Sequence, residues 1–123
     1  MVSITLPWPP SELSPNQRQH WAKLAGAKKI YRATCATQAR LQGLDRMAAQ
    51  RLHLSLIFYP PTRRAYDLDN LLSRMKSGLD GLADVLGVDD SRWSMEISKA
   101  DSPQRGGFVE VRIEQREKET NHQ

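Results

Sequence analysis

The chain has 123 residues, a length that allows one domain with a hydrophobic core and is too short for two. No apolar run approaches the roughly 20 residues of a membrane-spanning helix, and no secretory signal is recognised, so we expect neither a membrane protein nor a secreted one. Cys35 is the one cysteine, which excludes an internal disulfide and fits a reducing, cytoplasmic setting. Without a catalytic partner in view, Cys35 is predicted to be a packing residue.

The net charge is +4, and the charges are unevenly distributed along the chain. No acidic residue occurs between Leu13 and Leu44, a segment that contains Arg18, Lys23, Lys28, Lys29, Arg32 and Arg40. The aspartates gather later, at Asp67, Asp69, Asp80, Asp84, Asp89 and Asp90. A basic segment with a separate acidic cluster suits a polyanion that is held or cut with the help of a metal ion, although an ordinary solvated helix face carries similar charges.

The first half of the chain predicts a strand, a helix and a second strand. Residues 2–6 form a short strand that is ended by prolines, which lack the amide proton of a sheet ladder. Residues 16–43 are helical in composition, with Gly26 as a candidate break. Arg51–Tyr59 alternates apolar and polar residues, which is typical of a half-buried strand.

The second half predicts a helix and two strands. The helix is indicated by an apolar stripe, with Gly87 as its stop, at Leu68, Leu72, Met75, Leu79, Leu82 and Leu86. Two alternating segments follow, Trp93-Met95-Ile97 and Val109-Val111-Ile113, and residues 103–107 between them predict a hairpin loop. We therefore expect an α+β fold of order β-α-β-α-β-β in residues 1–115, with two helices on a four-stranded mixed sheet, and a polar, frayed tail in residues 116–123.

Clustered aspartates flank the second helix. Asp67 and Asp69 lie at its start, and Asp89 and Asp90 follow its end. Carboxylates are the usual protein ligands of Mg²⁺, and a bound divalent ion can lower the pKa of water and clamp a phosphodiester. The structural alternatives are a helix cap for the first pair and turn chemistry for the second. At about 100° per residue, Lys76 and Asp80 fall on the same helical line as Asp69, beside the apolar stripe.

Five short segments, spread over residues 4–114, match one known family in type and order. They are Ile4-Thr5-Leu6-Pro7-Trp8-Pro9-Pro10-Ser11, Asp67-Leu68-Asp69-Asn70-Leu71, Lys76 with Leu79-Asp80-Gly81-Leu82, Val88-Asp89-Asp90-Ser91, and a closing stretch with Lys99 and Gly106-Gly107. Together they resemble the RusA-type Holliday-junction resolvases. The resemblance implies a homodimeric endonuclease, encoded by a bacterium, a phage or a prophage, that nicks symmetric strands of a four-way DNA junction.

The resemblance also implies the residues of the site. Asp67, Asp69 and Asp90 would be the essential carboxylates that hold Mg²⁺, or Mn²⁺ as a substitute, with Asp89 as a further metal ligand. Lys76 would be the helping base or charge. In the commoner form of the family the lysine comes four residues after the second aspartate, where this chain has a serine, and Lys76 lies one turn further on the same face.

One continuous second helix poses a geometric problem for such a site. From Asp69 to Leu86 it would be about 27 Å long, which separates Asp90 from Asp67 and Asp69 of the same chain. We therefore expect composite sites, each with Asp67 and Asp69 of one subunit and Asp90 of the other. The rival is a helix that breaks at Gly78 or Gly81 and folds back.

Basic residues supply the predicted DNA contacts. Arg63 and Arg64 directly precede the acidic motif, and the first helix adds Lys28, Lys29 and Arg32. The alternative for each of these side chains is an ordinary exposed charge that contacts only solvent. His20 and His53 are predicted to be structural or surface residues. Two other functions stay open: a catalytically silent module that binds branched DNA, and a metal-dependent nuclease for flaps or forks.

Overall fold

The computed structural model describes residues 1–15 and 20–116. Its regular elements are β1 (Val2–Pro7), α1 (Trp21–Leu41), β2 (Arg51–Tyr59), α2 (Leu68–Leu86), β3 (Trp93–Lys99) and β4 (Phe108–Arg116). Single 3₁₀ turns at Ser11–Leu13 and Asp90–Arg92 precede α1 and β3. The predicted order and the α+β class, with two helices on a four-stranded mixed sheet, are confirmed. No helix of the described residues has the length and hydrophobicity needed to cross a membrane.

The strands are arranged in the spatial order β1-β4-β2-β3. β4 runs antiparallel to both of its neighbours, and β3 runs parallel to β2, so α2 is the crossover helix of a β-α-β unit. The predicted hairpin over residues 103–107 is therefore wrong, because β3 and β4 lie on opposite sides of β2. The connection passes over the end of β2, where the Gln104 amide donates to the Pro60 carbonyl at 2.8 Å.

One face of the sheet forms the core with the two helices. Register brings the alternate residues Ile4, Val111 and Leu56 into one row, and all three are buried. The opposite face is polar, because the intervening positions of the strands are mostly hydroxyl, charged and imidazole side chains. Both helices cover the same face, and most of their charged residues are exposed, with the buried Arg74 of α2 as the exception.

α2 is continuous from Leu68 to Leu86, which excludes the predicted alternative of a break at its glycines. Gly78 and Gly81 instead let α1 approach α2 closely. A Cβ at Gly78 would lie 2.6 Å from the Tyr31 ring, and a Cβ at Gly81 would collide with the backbone carbonyl of Arg32. Both glycines are buried in the helix interior, where they serve packing between the helices and leave the hydrogen-bond ladder intact.

The boundaries of two predicted segments are corrected. α1 starts at Trp21, later than expected, because His20 is its N-cap and accepts the Ala22 amide at 3.2 Å. It passes through Gly26 without a break, and residues 16–19, which were expected to be helical, lie outside the described residues. Arg116 belongs to β4 and not to the tail, whose other residues, 117–123, are also outside the described part.

Candidate functional site

The first pair of predicted carboxylates lies at the start of α2. Asp67 is the N-cap: its backbone is extended, and its Oδ1 accepts the Asp69 amide at 3.0 Å. This is the capping role that the sequence left as the structural alternative, and it satisfies one of the free amides of the first turn. Asp69 is the acidic residue of that first turn, where the positive end of the helix dipole favours a negative charge. Both side chains are exposed.

The residue before Asp67 is held in place from three directions. Lys99 Nζ of β3 donates to the carbonyl of Tyr66 at 2.9 Å, and the Tyr66 hydroxyl lies 3.0 Å from that of Thr62. The Tyr66 ring packs edge-on against Trp8 at 5.3 Å and carries the Arg64 guanidinium on its face at 5.2 Å. These contacts tie the start of α2 to the turn after β1, to β3 and to the loop after β2, so the position of Asp67 is fixed by tertiary packing.

A basic cleft of about 300 Å³ adjoins this end of α2. It is lined by both predicted DNA contacts of the loop, Arg63 and Arg64, and by Lys99, with Asp101 as its acidic member. Sequence reasoning assigned no role to Lys99. Lys99 ends an alternating strand, and this was the sequence feature that could have drawn attention to it. Its proximity to Arg63 and Arg64 follows only from the pairing of β3 with β2, which places Lys99 beside Phe58 near the end of β2.

The second pair of carboxylates lies at the opposite end of α2. Asp89 caps the short 3₁₀ turn and accepts the Ser91 amide at 3.1 Å. Hydrogen bonds from the Ser91 hydroxyl and amide hold the pKa of Asp89 below its usual value. Asp90 is exposed on the same turn. The structural alternative for this pair, turn formation, therefore applies to Asp89.

Asp90 lines a cleft of about 430 Å³ with residues of both helices. The cleft includes Lys28 of α1 together with Lys76 and Asp80 of α2. The structure thus brings together Lys76 and Asp90, two of the predicted catalytic residues, and adds a predicted DNA contact. Neither Asp67 nor Asp69 lines this cleft. The described residues of one chain contain no group of three or more His, Cys, Asp or Glu side chains that could hold a metal ion.

The other predicted DNA contacts of α1 differ in availability. Lys28 and Lys29 are exposed. Arg32 instead forms a two-pronged ion pair with Asp84, with both N···O distances 2.8 Å, and this pairing raises the pKa of Arg32 and lowers that of Asp84. A phosphate would have to replace Asp84 at Arg32, so the α1 lysines are the more accessible contacts.

Arg74 is a buried charge that sequence reasoning missed. It is 5% exposed, donates to the Pro9 carbonyl, and lies 5.9 Å from the centre of the Trp8 ring. Burial lowers the pKa of Arg74. Its contacts tie α2 to the turn after β1, and thereby support Trp8 beneath Tyr66. The sequence feature that could have indicated its burial is its position beside the apolar stripe of α2, directly before Met75.

The remaining predictions concern single residues of the core. Cys35 is fully buried, which confirms its packing role, and burial raises the pKa of its thiol to about 11. Trp93 is half-buried against the core, as expected for its alternating strand. Met95 of the same strand is 42% exposed, because β3 is an edge strand that α2 covers incompletely. The β3 positions therefore contribute less to the core than the alternation indicated.

No protein-family model matches the chain. An uncharacterized protein of Xylella fastidiosa (strain Temecula1 / ATCC 700964) is 42% identical over 116 residues, a match that covers 92% of this chain and 76% of the relative. The chain belongs to the same family as this Xylella protein. Because the relative is uncharacterized, membership of its family assigns no activity, and the function has to be argued from the residues.

Proposed function

We propose that the protein is a Mg²⁺-dependent endodeoxyribonuclease that resolves four-way DNA junctions by paired symmetric nicks as a homodimer. The observation that carries the proposal is the division of the acidic motif between the two ends of one straight helix. Asp67 and Asp69 lie at the start of α2, where Ala65 lines one basic cleft. Asp90 follows the end of the helix and lines a second cleft together with Lys76 and Asp80 of α2. The resemblance of five ordered segments to the RusA-type resolvases supports the same activity.

A composite site accounts for this division. Two copies related by a two-fold axis, with antiparallel α2 helices, would place Asp67 and Asp69 of one subunit near Asp90 of the other. The α2 helix has 19 residues, and at 1.5 Å per residue it spans about 28 Å, so a single subunit keeps the two groups apart. Two sites related by symmetry would also produce the proposed paired nicks at symmetric positions.

The donor set of such a site suits Mg²⁺. Carboxylate oxygens are its preferred protein ligands, and one or two carboxylates commonly hold it together with water and substrate phosphate. When bound, it would supply an activated water and neutralise charge on the phosphodiester. Asp67 and Asp69 would provide two carboxylates from an anchored helix start, and Asp90 of the second copy, with Asp89 beside it, would complete the set.

The basic side chains would hold the DNA. Arg63 and Arg64 line the cleft beside Asp67, where they would contact backbone phosphates and set the register of the strand. Lys76 shares its cleft with Asp90 and would stabilise negative charge that develops on the phosphate. Lys28 lines the same cleft, and Lys29 is its exposed neighbour on α1.

A labelled, mobile four-way junction tests the proposal. We expect paired nicks at symmetric positions in Mg²⁺, no cleavage in EDTA, and none with Asp67→Asn. Linear duplex serves as competitor, and flaps and forks of the same sequence measure the preference for a four-way branch. Cleavage that persists in EDTA would contradict the metal requirement, and cleavage by the Asp67→Asn protein would contradict the role of that carboxylate.

The second function is a catalytically silent module that binds branched DNA. It is favoured by Ser73, which stands where the commoner form of the family has lysine and whose hydroxyl donates to the Asp69 carbonyl at 3.1 Å. A silent module would bind the junction equally well with and without Mg²⁺, and Asp67→Asn would leave that binding unchanged. Tight binding without any nick in Mg²⁺ or Mn²⁺ would establish this alternative.

A further inference from the structure

A third basic cleft lies at the end of the sheet where β2 and β3 begin and β4 ends. Its volume is about 630 Å³, larger than either cleft described above, and its lining includes Arg51, Arg92, Arg116, Ser91, Ser94 and Trp93. None of these residues belongs to the predicted site. Ser91 of this cleft directly follows Asp90, which lines the cleft along α2, so the two clefts meet at the same 3₁₀ turn.

The arginines of this cleft are poorly compensated. Arg51 and Arg116 are directly opposed in the β2–β4 pair, an arrangement of like charges that destabilises a sheet. Arg116 is paired with Glu114 at 3.3 Å. Within residues 1–15 and 20–116, no ion pair involves Arg51 or Arg92. One carboxylate is thus directly paired with one of the three cations, while Asp89 and Glu96 interact with Arg92 and Arg116 at longer range. An external anion would further relieve the mutual repulsion of the arginines.

The remaining lining residues suit a nucleic-acid strand. The Trp93 indole nitrogen donates to the Val88 carbonyl at 3.0 Å, which fixes the ring at the cleft while leaving it half-exposed. A fixed aromatic ring beside arginines is the combination with which proteins hold bases and phosphates of unpaired strands. Ser91 and Ser94 add hydroxyl donors, and arginine's planar fork matches phosphate oxygens.

We infer that this arginine cleft, which begins at the residue after Asp90, binds the phosphate backbone of a DNA strand as a contact separate from Arg63 and Arg64. The inference rests on the proposed function, since DNA is its substrate, and it adds a binding surface to the carboxylate end of the site. In a composite dimer the cleft would receive the strand from the metal-binding carboxylates of the other subunit.

The test is DNA binding without cleavage, measured by fluorescence anisotropy of a labelled junction in EDTA at several salt concentrations. Arg51→Gln and Arg92→Gln each remove one unpaired cation, and each should weaken binding about tenfold and lower the salt slope by about one. Arg51→Lys keeps the charge and should restore most of that slope. Arg112→Gln, at an exposed arginine of β4 outside the three clefts, is the matched control and should change binding little.

The outcomes separate this inference from the proposed function. Binding by Arg51→Gln and Arg92→Gln equal to that of the Arg112→Gln control, in a protein that cleaves junctions, would overturn the cleft and leave the nuclease standing. Arginine-dependent binding by a protein that never nicks DNA in Mg²⁺ would support the cleft and overturn the nuclease. A wild-type chain that binds no DNA would overturn both.

Discussion

The two ends of α2 carry similar residues in different structural settings. At each end one aspartate of a pair accepts an amide two residues ahead, Asp67 from Asp69 and Asp89 from Ser91. The neighbouring carboxylates, Asp69 and Asp90, take part in no side-chain hydrogen bond within residues 1–15 and 20–116. Each end therefore combines a carboxylate that stabilises local structure with one that is available for another role.

The ends also differ in how firmly they are held. The start of α2 is tied down through Tyr66, Trp8 and Lys99, whereas Asp90 stands on a single exposed 3₁₀ turn beyond the left-handed Gly87. The start of α2 is therefore positioned by side chains from other elements, whereas Asp90 is positioned by its own turn and by the hydrogen bond between Val88 and Trp93 that flanks it. The experiments below break or sharpen this comparison.

The largest expected effect comes from substituting the carboxylates at the two ends of α2 in separate chains. On the proposed function, the Asp67→Asn and Asp90→Asn proteins should each lose activity by about a hundredfold or more, as is typical when a charge-stabilising group is removed from an active site. Mixing the two variants should restore one complete site in each heterodimer, so junction nicking should reappear, mostly on one strand. An inactive mixture with confirmed heterodimers would show that each chain contains its own site.

The packing between α1 and α2 can be disturbed at the middle of α2, midway between the two ends. Gly81→Ala places a Cβ against the Arg32 carbonyl, which cannot move without shifting α1, so we expect a loss of about 2 kcal/mol in unfolding free energy. Gly26→Ala is the matched control, because a Cβ there meets nothing within 4 Å and alanine favours the helix by about 0.8 kcal/mol. Chemical denaturation measures both, and equal effects of the same sign would contradict this packing.

The cap at the start of α2 gives a smaller effect that separates structure from chemistry. Asp67→Ala removes the acceptor for the Asp69 amide and should cost about 1 kcal/mol of stability, while Asp67→Asn keeps a good cap and should cost only a few tenths. Both should abolish cleavage if the carboxylate is needed. Thermal unfolding beside the junction assay provides the two readouts, and an active Asp67→Asn protein would assign Asp67 to capping alone.

The smallest effect concerns acid pH at the far end. Because the pKa of folded Asp89 is lowered, its stabilising contribution is present above the unfolded value and is lost as pH falls through the lower folded value. Ser91→Ala removes the hydroxyl donor and should move the Asp89 titration toward its ordinary range, as followed by NMR. A titration unchanged by the substitution would mean that another group holds the carboxylate.

Much of this molecule could be read from local patterns. The alternation of Arg51–Tyr59 and the stripe of α2 each reported one buried face, and both elements lie where their periodicity indicated. Asp67 as a cap was foreseen as well, because capping involves only residues close in sequence. The same locality explains the errors at α1: the cap at His20 follows no strong sequence rule, and glycine near a helix start does not by itself break the helix.

The sequence by itself determined the elements, their order, and the separation of two aspartate pairs by one helix, since periodicity and spacing are local properties. Only the tertiary structure decided that β3 pairs with β2 and not with β4, and that Gly78 and Gly81 are contact points between helices. It also decided that Arg74 is buried, and that Arg51, Arg92 and Arg116 gather in one cleft. These outcomes depend on residues far apart in the chain, whose proximity is set by packing and strand register and leaves no local pattern.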